Sequence, residues 1–479
     1  MTESLKSKTY KGASWSFIDN IVLLGANSVT GIVLARLLTP AEFGIVGLIT
    51  VFLAVSTSLV DSGFSQALIN KQDLTDVDCD TVFVFNLLVS AALAMLLIAA
   101  SPWLASYYGQ PLLNPVMKVM SSILVINGLS LVHRTLLIKK IDFKKQAIVS
   151  FVSSVTGGII GIVMAYRGYG VWSLVALNIS RQFLVTCLMY ILVKWKPHLR
   201  FSIQSFKGLF RYGFNLLLSG LIFTLSKNIY YHVIGKYYSA ASLGQYTRAE
   251  RFNNIGTTNL TSIVQRVSFP VLSAVTDSDQ MEIIYHKVIL STCLLAFPFI
   301  LGVAAIASPL VLLLIGEQWR DAAWMLRLLS LAGLFHPLIN LNLSLVKVKS
   351  RTDLYLRLEF LRNVLLLIPS VAAGLLFGIR VMLIVNIGMA AVAYLVNASC
   401  SGKLSRYTLR RQLRDLAPVL LVSAGISGVI YLYTFFVGSL LLCLFLQVTT
   451  AVGLYILIYE MLRLPVYLEI RNEIMKMIK

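Results

Sequence analysis

Apolar runs of about 20 residues, the length that crosses the hydrocarbon core of a bilayer, recur along almost the whole of this 479-residue chain. No other feature restricts its possible folds so sharply. A backbone in hydrocarbon must satisfy its own hydrogen bonds, and long continuous apolar runs do so as helices. Fourteen such segments can be separated, near 12–35, 42–66, 82–106, 113–134, 146–166, 171–193, 208–234, 244–271, 287–315, 321–345, 355–377, 381–398, 415–436 and 439–460. With 57% hydrophobic and 13% charged residues, against about 25% charged in soluble domains, no sizeable soluble domain is expected. The expectation is an all-α polytopic membrane protein. Its polar start, Met1 to Lys11, runs into a long apolar segment without a small-residue cleavage site, which predicts a retained helix rather than a signal peptide.

The connections alternate in character. Odd-to-even ones are short, as in Tyr108-Gly109-Gln110-Pro111, Arg167-Gly168-Tyr169-Gly170 and Val437-Gly438, whereas several even-to-odd ones are longer and basic. Most of the 41 lysines and arginines lie in the even-to-odd connections and the two tails, with five in the odd-to-even turns. By the positive-inside rule both termini are expected in the cytoplasm and the odd-to-even turns outside. The clusters Lys139-Lys140 with Lys144-Lys145, Lys194 to Arg211, and Arg406 to Arg414 then read as orientation signals that favour anionic lipid. The net charge of +20, so distributed, implies no nucleic-acid partner.

One stretch is echoed. Leu34-Ala35-Arg36-Leu37-Leu38-Thr39-Pro40-Ala41-Glu42-Phe43-Gly44 returns, blurred, as Val233-Ile234-Gly235-Lys236-Tyr237-Tyr238-Ser239-Ala240-Ala241-Ser242-Leu243-Gly244. Arg36 answers Lys236 and Gly44 answers Gly244, both 200 residues apart. Six helices separate the echoes, an even number, so the repeats share one orientation and are related by a pseudo-twofold axis along the membrane normal. The expected organisation is an N-terminal six-helix bundle over 1–193, a cytoplasmic linker over 194–207, a second six-helix bundle over 208–398, and helices 13 and 14 with a tail over 399–479. A central cavity between rocking bundles follows from such a design. The echoed turn itself reads as a corner joining helices 1–2 and 7–8.

No enzyme signature is present: GxxxxGK[ST], HExxH, GxSxG and paired cysteines are all missing. The five cysteines and five histidines are dispersed without metal-ligand spacing. No cofactor or metal is expected. Charge inside the apolar segments is what remains, and an ion near the bilayer centre costs at least about 2.5–3.5 kcal/mol unless it is wet or paired. Arg181 lies near the middle of helix 6, and Lys227 lies about two turns from the outer end of helix 7. Arg248 and Arg251 share a face of helix 8, with Glu250 offset from it. Arg181, Lys227, Arg248 and Arg251 are the candidate cationic lining for an anionic substrate, with Arg36 and Lys236 as outer-mouth candidates. Asp19, Asp61 and Glu250 are the carboxylates available for ion coupling, and Arg327, Arg357, Glu359 and Arg362 complete the intramembrane charges. Small residues such as Gly157-Gly158 with Gly161, and Gly25 with Gly31, permit close helix packing or bending. Trp103, Tyr107, Tyr108, Tyr237, Tyr238, Trp319 and Trp324 read as an outer interface belt.

The segments Gly12-Ala13-Ser14-Trp15, Leu34 to Gly44, Asp61-Ser62-Gly63-Phe64-Ser65-Gln66-Ala67-Leu68, Ile234-Gly235, Leu243-Gly244-Gln245-Tyr246-Thr247-Arg248-Ala249-Glu250-Arg251 and Phe269-Pro270 together resemble one family. It is the polysaccharide transport branch of the multidrug/oligosaccharidyl-lipid/polysaccharide exporter superfamily, the O-antigen and exopolysaccharide flippases. The resemblance implies a non-enzymatic exporter of polyprenyl-pyrophosphate-linked oligosaccharide in the bacterial inner membrane, coupled to protons or sodium, with a glycan polymerase or glycosyltransferases as partners. Family members often carry an Asp in helix 7 just before the Ile-Gly pair. Here the region reads Asn228-Ile229-Tyr230-Tyr231-His232, so no carboxylate role carries over. A lipid II flippase and a multidrug cation antiporter of the same superfamily are the alternatives. The latter should favour an acidic cavity, and the buried charge in this chain is mainly basic.

Overall fold

A computed structural model describes residues 22–273, 275, 277–463, 467, 468 and 471. From Val22 onward, each apolar segment read from the sequence lies on one helix or on two consecutive helices. They are α1 (Val22–Leu37), α2 (Pro40–Asp61), α3 (Phe64–Asn70), α4 (Asp76–Tyr108), α5 (Leu113–Met120), α6 (Ser122–Lys139), α7 (Phe143–Tyr166), α8 (Val171–Leu192), α9 (Ile203–Tyr237) and α10 (Ala240–Ser273). The series continues with α11 (Ser278–Ile315), α12 (Arg320–Gly333), α13 (His336–Val348), α14 (Thr352–Phe377), α15 (Ile379–Ser405), α16 (Leu409–Phe436) and α17 (Leu440–Leu462). Three spans are split: α2 runs on into α3 through Ser62-Gly63, both in the left-handed region, α5 runs on into α6, and α12 runs on into α13.

Among the described residues eleven spans are long and apolar enough to cross a membrane, and α9 makes a twelfth if its two parts, bent by 45°, are one span. Two of the fourteen expected spans fall outside that count for different reasons. The described part of α1 is short. Helix α10 carries Gln245, Thr247, Arg248, Glu250, Arg251, Asn253 and Asn254 in its first half, so its length is that of a span and its composition is not.

The chain forms two compact units, Met1–Gly244 and Gln245–Lys479. In the first, α9 packs on α2, α3 and α4, and α8 packs on α7, α6 and α2. Its core is Phe64, Val82, Phe83, Val132, Val149, Met189 and Leu209. Aromatic contacts of Phe64 with Phe85 at 5.0 Å and with Phe206 at 5.8 Å hold the start of α9 against α3 and α4. The second unit is built on α11, which packs on α12, α16 and α17, while α14 pairs with α15. Its core, including Tyr285, Phe297, Leu338, Tyr394 and Tyr407, is threaded by polar bonds such as Tyr285 Oη to Asn342 Oδ1 at 2.7 Å. Burial and the neighbouring Asp415 carboxylate push the Tyr407 phenol up, and it donates to Asp415 Oδ2 at 3.1 Å between α15 and α16.

Side chains such as Leu88, Met95, Leu96, Ile191, Phe223, Phe360 and Leu421 stay exposed. In a membrane-spanning fold an apolar surface exposed to lipid carries no penalty. The turns end as the sequence suggests: Gly109 caps α4 in the left-handed conformation at φ +63°, and Gly168 and Gly170 take φ +79° and +55°.

Candidate functional site

The echoed turns meet. A Cβ added to Gly44 would overlap the carbonyl oxygen of Ala240 and lie 3.0 Å from its Cα; one added to Gly244 would overlap the carbonyl oxygen of Pro40 and lie 3.1 Å from its Cα. Pro40 and Ala240 are themselves 200 residues apart, so the two contacts are one contact and its repeat. Each glycine presents a Cα–H to the carbonyl at the start of the other helix, a geometry worth about 0.5–1 kcal/mol per contact. The helix starts are built alike as well. Thr39 N and Oγ1 donate to Glu42 Oε2 at 2.7 and 3.0 Å, while Ser242 N donates to Ser239 Oγ at 3.0 Å, each satisfying amides left open at a helix start.

A second set of ties joins the same end of α9 to the end of α4. Lys236 Nζ donates to the Tyr107 carbonyl and sits 3.8 Å from the centre of the Tyr107 ring. Tyr108 Oη lies 2.6 Å from His232 Nδ1, and His232 stacks on Tyr107 with an interplanar angle of 13°. Lys236 is therefore engaged with α4, whereas Arg36 is exposed. Below this, Gly235 faces Leu48 so closely that a Cβ would not fit, and Ser58 Oγ meets Thr224 Oγ1 at 3.1 Å.

Deeper in the first unit, Arg181 is half-buried on α8, and its Nη1 donates to Asn27 Oδ1 of α1 at 3.4 Å. The glycines of α7 set its depth. A Cβ on Gly157 would press against Arg181 Cβ at 3.0 Å, one on Gly161 against Leu177 Cβ at 2.9 Å, and one on Gly158 against Thr30. This run is a packing surface, whereas Gly25 has open space around it. Near Arg181 in the sequence, Gln182 Nε2 donates to Asn127 Oδ1 at 3.4 Å and Thr186 Oγ1 to the Ile126 carbonyl at 2.8 Å. Lys227 is exposed on α9, the helix tied to α2 through Thr224. Asp61 accepts from the Ser65 amide at 3.1 Å across the α2–α3 break. Asp19 lies outside the described residues.

Arg248, Glu250 and Arg251 belong to the second unit, the first two half-buried and the last exposed. Arg327 is a structural clamp there, bonding the Ala304 carbonyl at 3.2 Å, Ser308 Oγ at 3.1 Å and Tyr431 Oη at 3.2 Å. Arg362 pairs with Glu359, and Arg357 is exposed. Two aromatics read as interface belt are internal instead: Trp319 is 0% and Tyr108 is 7% exposed, against 66% for Trp103. Trp319 fills the turn before α12, while Tyr108 turns inward to His232. Sequence reasoning missed the Tyr108–His232 bond, the Asn27 partner of Arg181, and the backbone approach of Gly63 to Gly213. The positive φ needed at Gly63 was signalled only by the glycine after Asp61-Ser62.

The second unit also holds an apolar groove of about 590 Å³ between α11, α16 and α17, lined by Pro298, Gly302, Ile306, Val448, Val452 and Tyr455 among others, with Arg471 at its edge.

Comparison with known proteins decides the family. Residues 33–324 match the model of a family described as polysaccharide biosynthesis protein. The chain belongs to this family. It is 25% identical to the lipopolysaccharide biosynthesis protein WzxC of Escherichia coli (strain K12), over 78% of this chain and 76% of that one. It is 28% identical to the succinoglycan biosynthesis transport protein ExoT of Rhizobium meliloti (strain 1021), over 70% and 69%. Among solved structures, the lipid II flippase MurJ in an inward closed conformation matches with a TM-score of 0.75 at 14% identity, covering 95% of this chain and all of that one. An inward-facing multidrug resistance transporter of the MOP superfamily matches with a TM-score of 0.59 at 18% identity, covering 80% and 95%. These likenesses identify the fold as that of the MOP superfamily. The protein is a multi-pass membrane protein of the polysaccharide biosynthesis family.

Proposed function

We propose that the protein is a flippase that carries polyprenyl-pyrophosphate-linked oligosaccharide across the bacterial cytoplasmic membrane for lipopolysaccharide or exopolysaccharide assembly, by alternating access and without catalysis. The observation that carries this reading is Arg181. In a chain of the polysaccharide biosynthesis family, it is an arginine in the middle of an apolar helix, seated by the α7 glycines and reaching Asn27. A guanidinium at that depth is costly unless its surroundings are polar. Its planar fork suits a diphosphate, which it can meet with two parallel hydrogen bonds.

Lys227 is a further cation of the first unit offered to the diphosphate or to acidic sugars, with Arg36 and Lys236 as outer-mouth candidates; Arg248 and Arg251 are the cations that the second unit offers to an anionic substrate. The polyprenyl tail needs only an apolar surface, and the groove between α11, α16 and α17 has the right character for it. Coupling to protons or sodium falls to Asp19, Asp61 or Glu250. Both termini face the cytoplasm in this reading, and a glycan polymerase or glycosyltransferases supply and consume the substrate.

The test is surface-glycan export in a strain that depends on this chain. Arg181→Ala and Arg248→Ala variants present at normal levels in the membrane should each lower export by about tenfold or more, the effect of losing one charge-assisted contact. Full export by both variants would sink the cationic-lining reading.

A further inference from the structure

One groove of the first unit plays no part in the transport reading. It has a volume of about 410 Å³ and lies between α5, α7 and the first half of α8. Trp172, Ala176, Ile179 and Phe183 recur at helical spacing along α8 and line it, together with Val119 of α5 and Met164 of α7. Trp172 and Phe183 stand eleven residues apart, about 16 Å along a helix that rises 1.5 Å per residue. That is half of a hydrocarbon core about 30 Å thick, so the groove is as deep as one leaflet.

Two cations flank its end at Trp172. Arg167 lies one turn beyond Met164, at a spacing that shares a helix face, and Lys118 precedes Val119 on the exposed side of α5. Both are exposed, and among the described residues neither has an ion pair or a side-chain hydrogen bond. Arg167 is also one of only five lysines and arginines in the odd-to-even turns, where the positive-inside bias works against a cation. Tyr166 and Tyr169, exposed on either side of it, are of the residue type that sits at headgroup level.

We infer that this groove is a binding site for an anionic phospholipid, with one acyl chain along α8 from Trp172 to Phe183 and the phosphate at Arg167 and Lys118. The charges select the occupant. A zwitterionic lipid brings its own cation to its phosphate, whereas an anionic headgroup leaves that phosphate to the protein. An acyl chain seated there packs on α7 and α8, the pair whose glycine contacts set the depth of Arg181. The lipid thus braces that pair from outside. Its leaflet rests on the orientation proposed above, with Arg167 outside; the site lies within one unit and is independent of the transported substrate.

The experiment uses the full-length protein in phosphatidylcholine vesicles that contain a small, limiting fraction of phosphatidylglycerol with a photoreactive diazirine in one acyl chain. Cross-links mapped by peptide mass spectrometry should fall on α8 between Trp172 and Phe183, and excess unlabelled phosphatidylglycerol should suppress them. Lys118→Gln combined with Arg167→Gln should reduce them about thirtyfold, the worth of two cations near an anionic headgroup. Ala176→Phe, which fills the groove and keeps both cations, should remove most of them. Equal labelling of this segment by a diazirine phosphatidylcholine would show contact with any lipid and overturn the site. Labelling that polyprenyl phosphate suppresses and phosphatidylglycerol does not would overturn it in favour of the carrier lipid. Phosphatidylglycerol cross-links confined to the cytoplasmic basic clusters would overturn it as well.

Discussion

The two echoed turns keep the same backbone and use different side chains. At Thr39 to Gly44 the helix start is held by a carboxylate, with Glu42 accepting two bonds from Thr39, and Arg36 is exposed. At Ser239 to Gly244 a serine holds the start, and Lys236 turns onto Tyr107. What survives in both copies is the glycine and the carbonyl it meets. The repeat therefore preserves the crossing geometry, while caps and cations have been free to diverge.

This contrast can be broken first at its common part. Gly44→Val and Gly244→Val each place a branched side chain inside a backbone contact and should lower stability by about 3 kcal/mol or more, equally for the two sites, as measured by thermal unfolding in detergent. A large difference between them would show that the crossing is not shared evenly. The diverged part gives a smaller effect. Glu42→Ala should cost about 0.5–1 kcal/mol by removing the acceptor at the start of α2, and Ser242→Ala, whose amide bond to Ser239 survives, should cost a few tenths. Equal losses would erase the distinction between the caps.

Most of the fold was legible because the bilayer leaves a long apolar run no alternative to a helix. The same logic explains the partial miss at α10: its polar first half, from Gln245 to Asn254, keeps it below the hydropathy of a span although it is 34 residues long. The echo was legible as a repeat, since Arg36, Gly44, Lys236 and Gly244 stand in the sequence at a fixed shift. That the two copies touch was not, because a one-dimensional repeat carries no information on which of its copies lie on the axis.

The cations were found by rarity alone, and rarity does not distinguish Arg327, clamped among Ala304, Ser308 and Tyr431, from Arg181, which donates to Asn27 at 3.4 Å. The inward turn of Tyr108 was hidden for a similar reason. A tyrosine at a helix end looks the same in sequence whether it faces the lipid headgroups or a histidine on a neighbouring helix.

The central claim is that this chain moves a polyprenyl-pyrophosphate-linked glycan, and reconstitution tests it most directly. Purified protein in vesicles loaded with such a glycan lipid on one leaflet should carry it to the other, where a membrane-impermeant reagent modifies it. Arg181→Ala should slow that transfer by about tenfold. Transfer no faster than in protein-free vesicles, by wild-type protein that is folded and supplied with a proton or sodium gradient, would contradict the account.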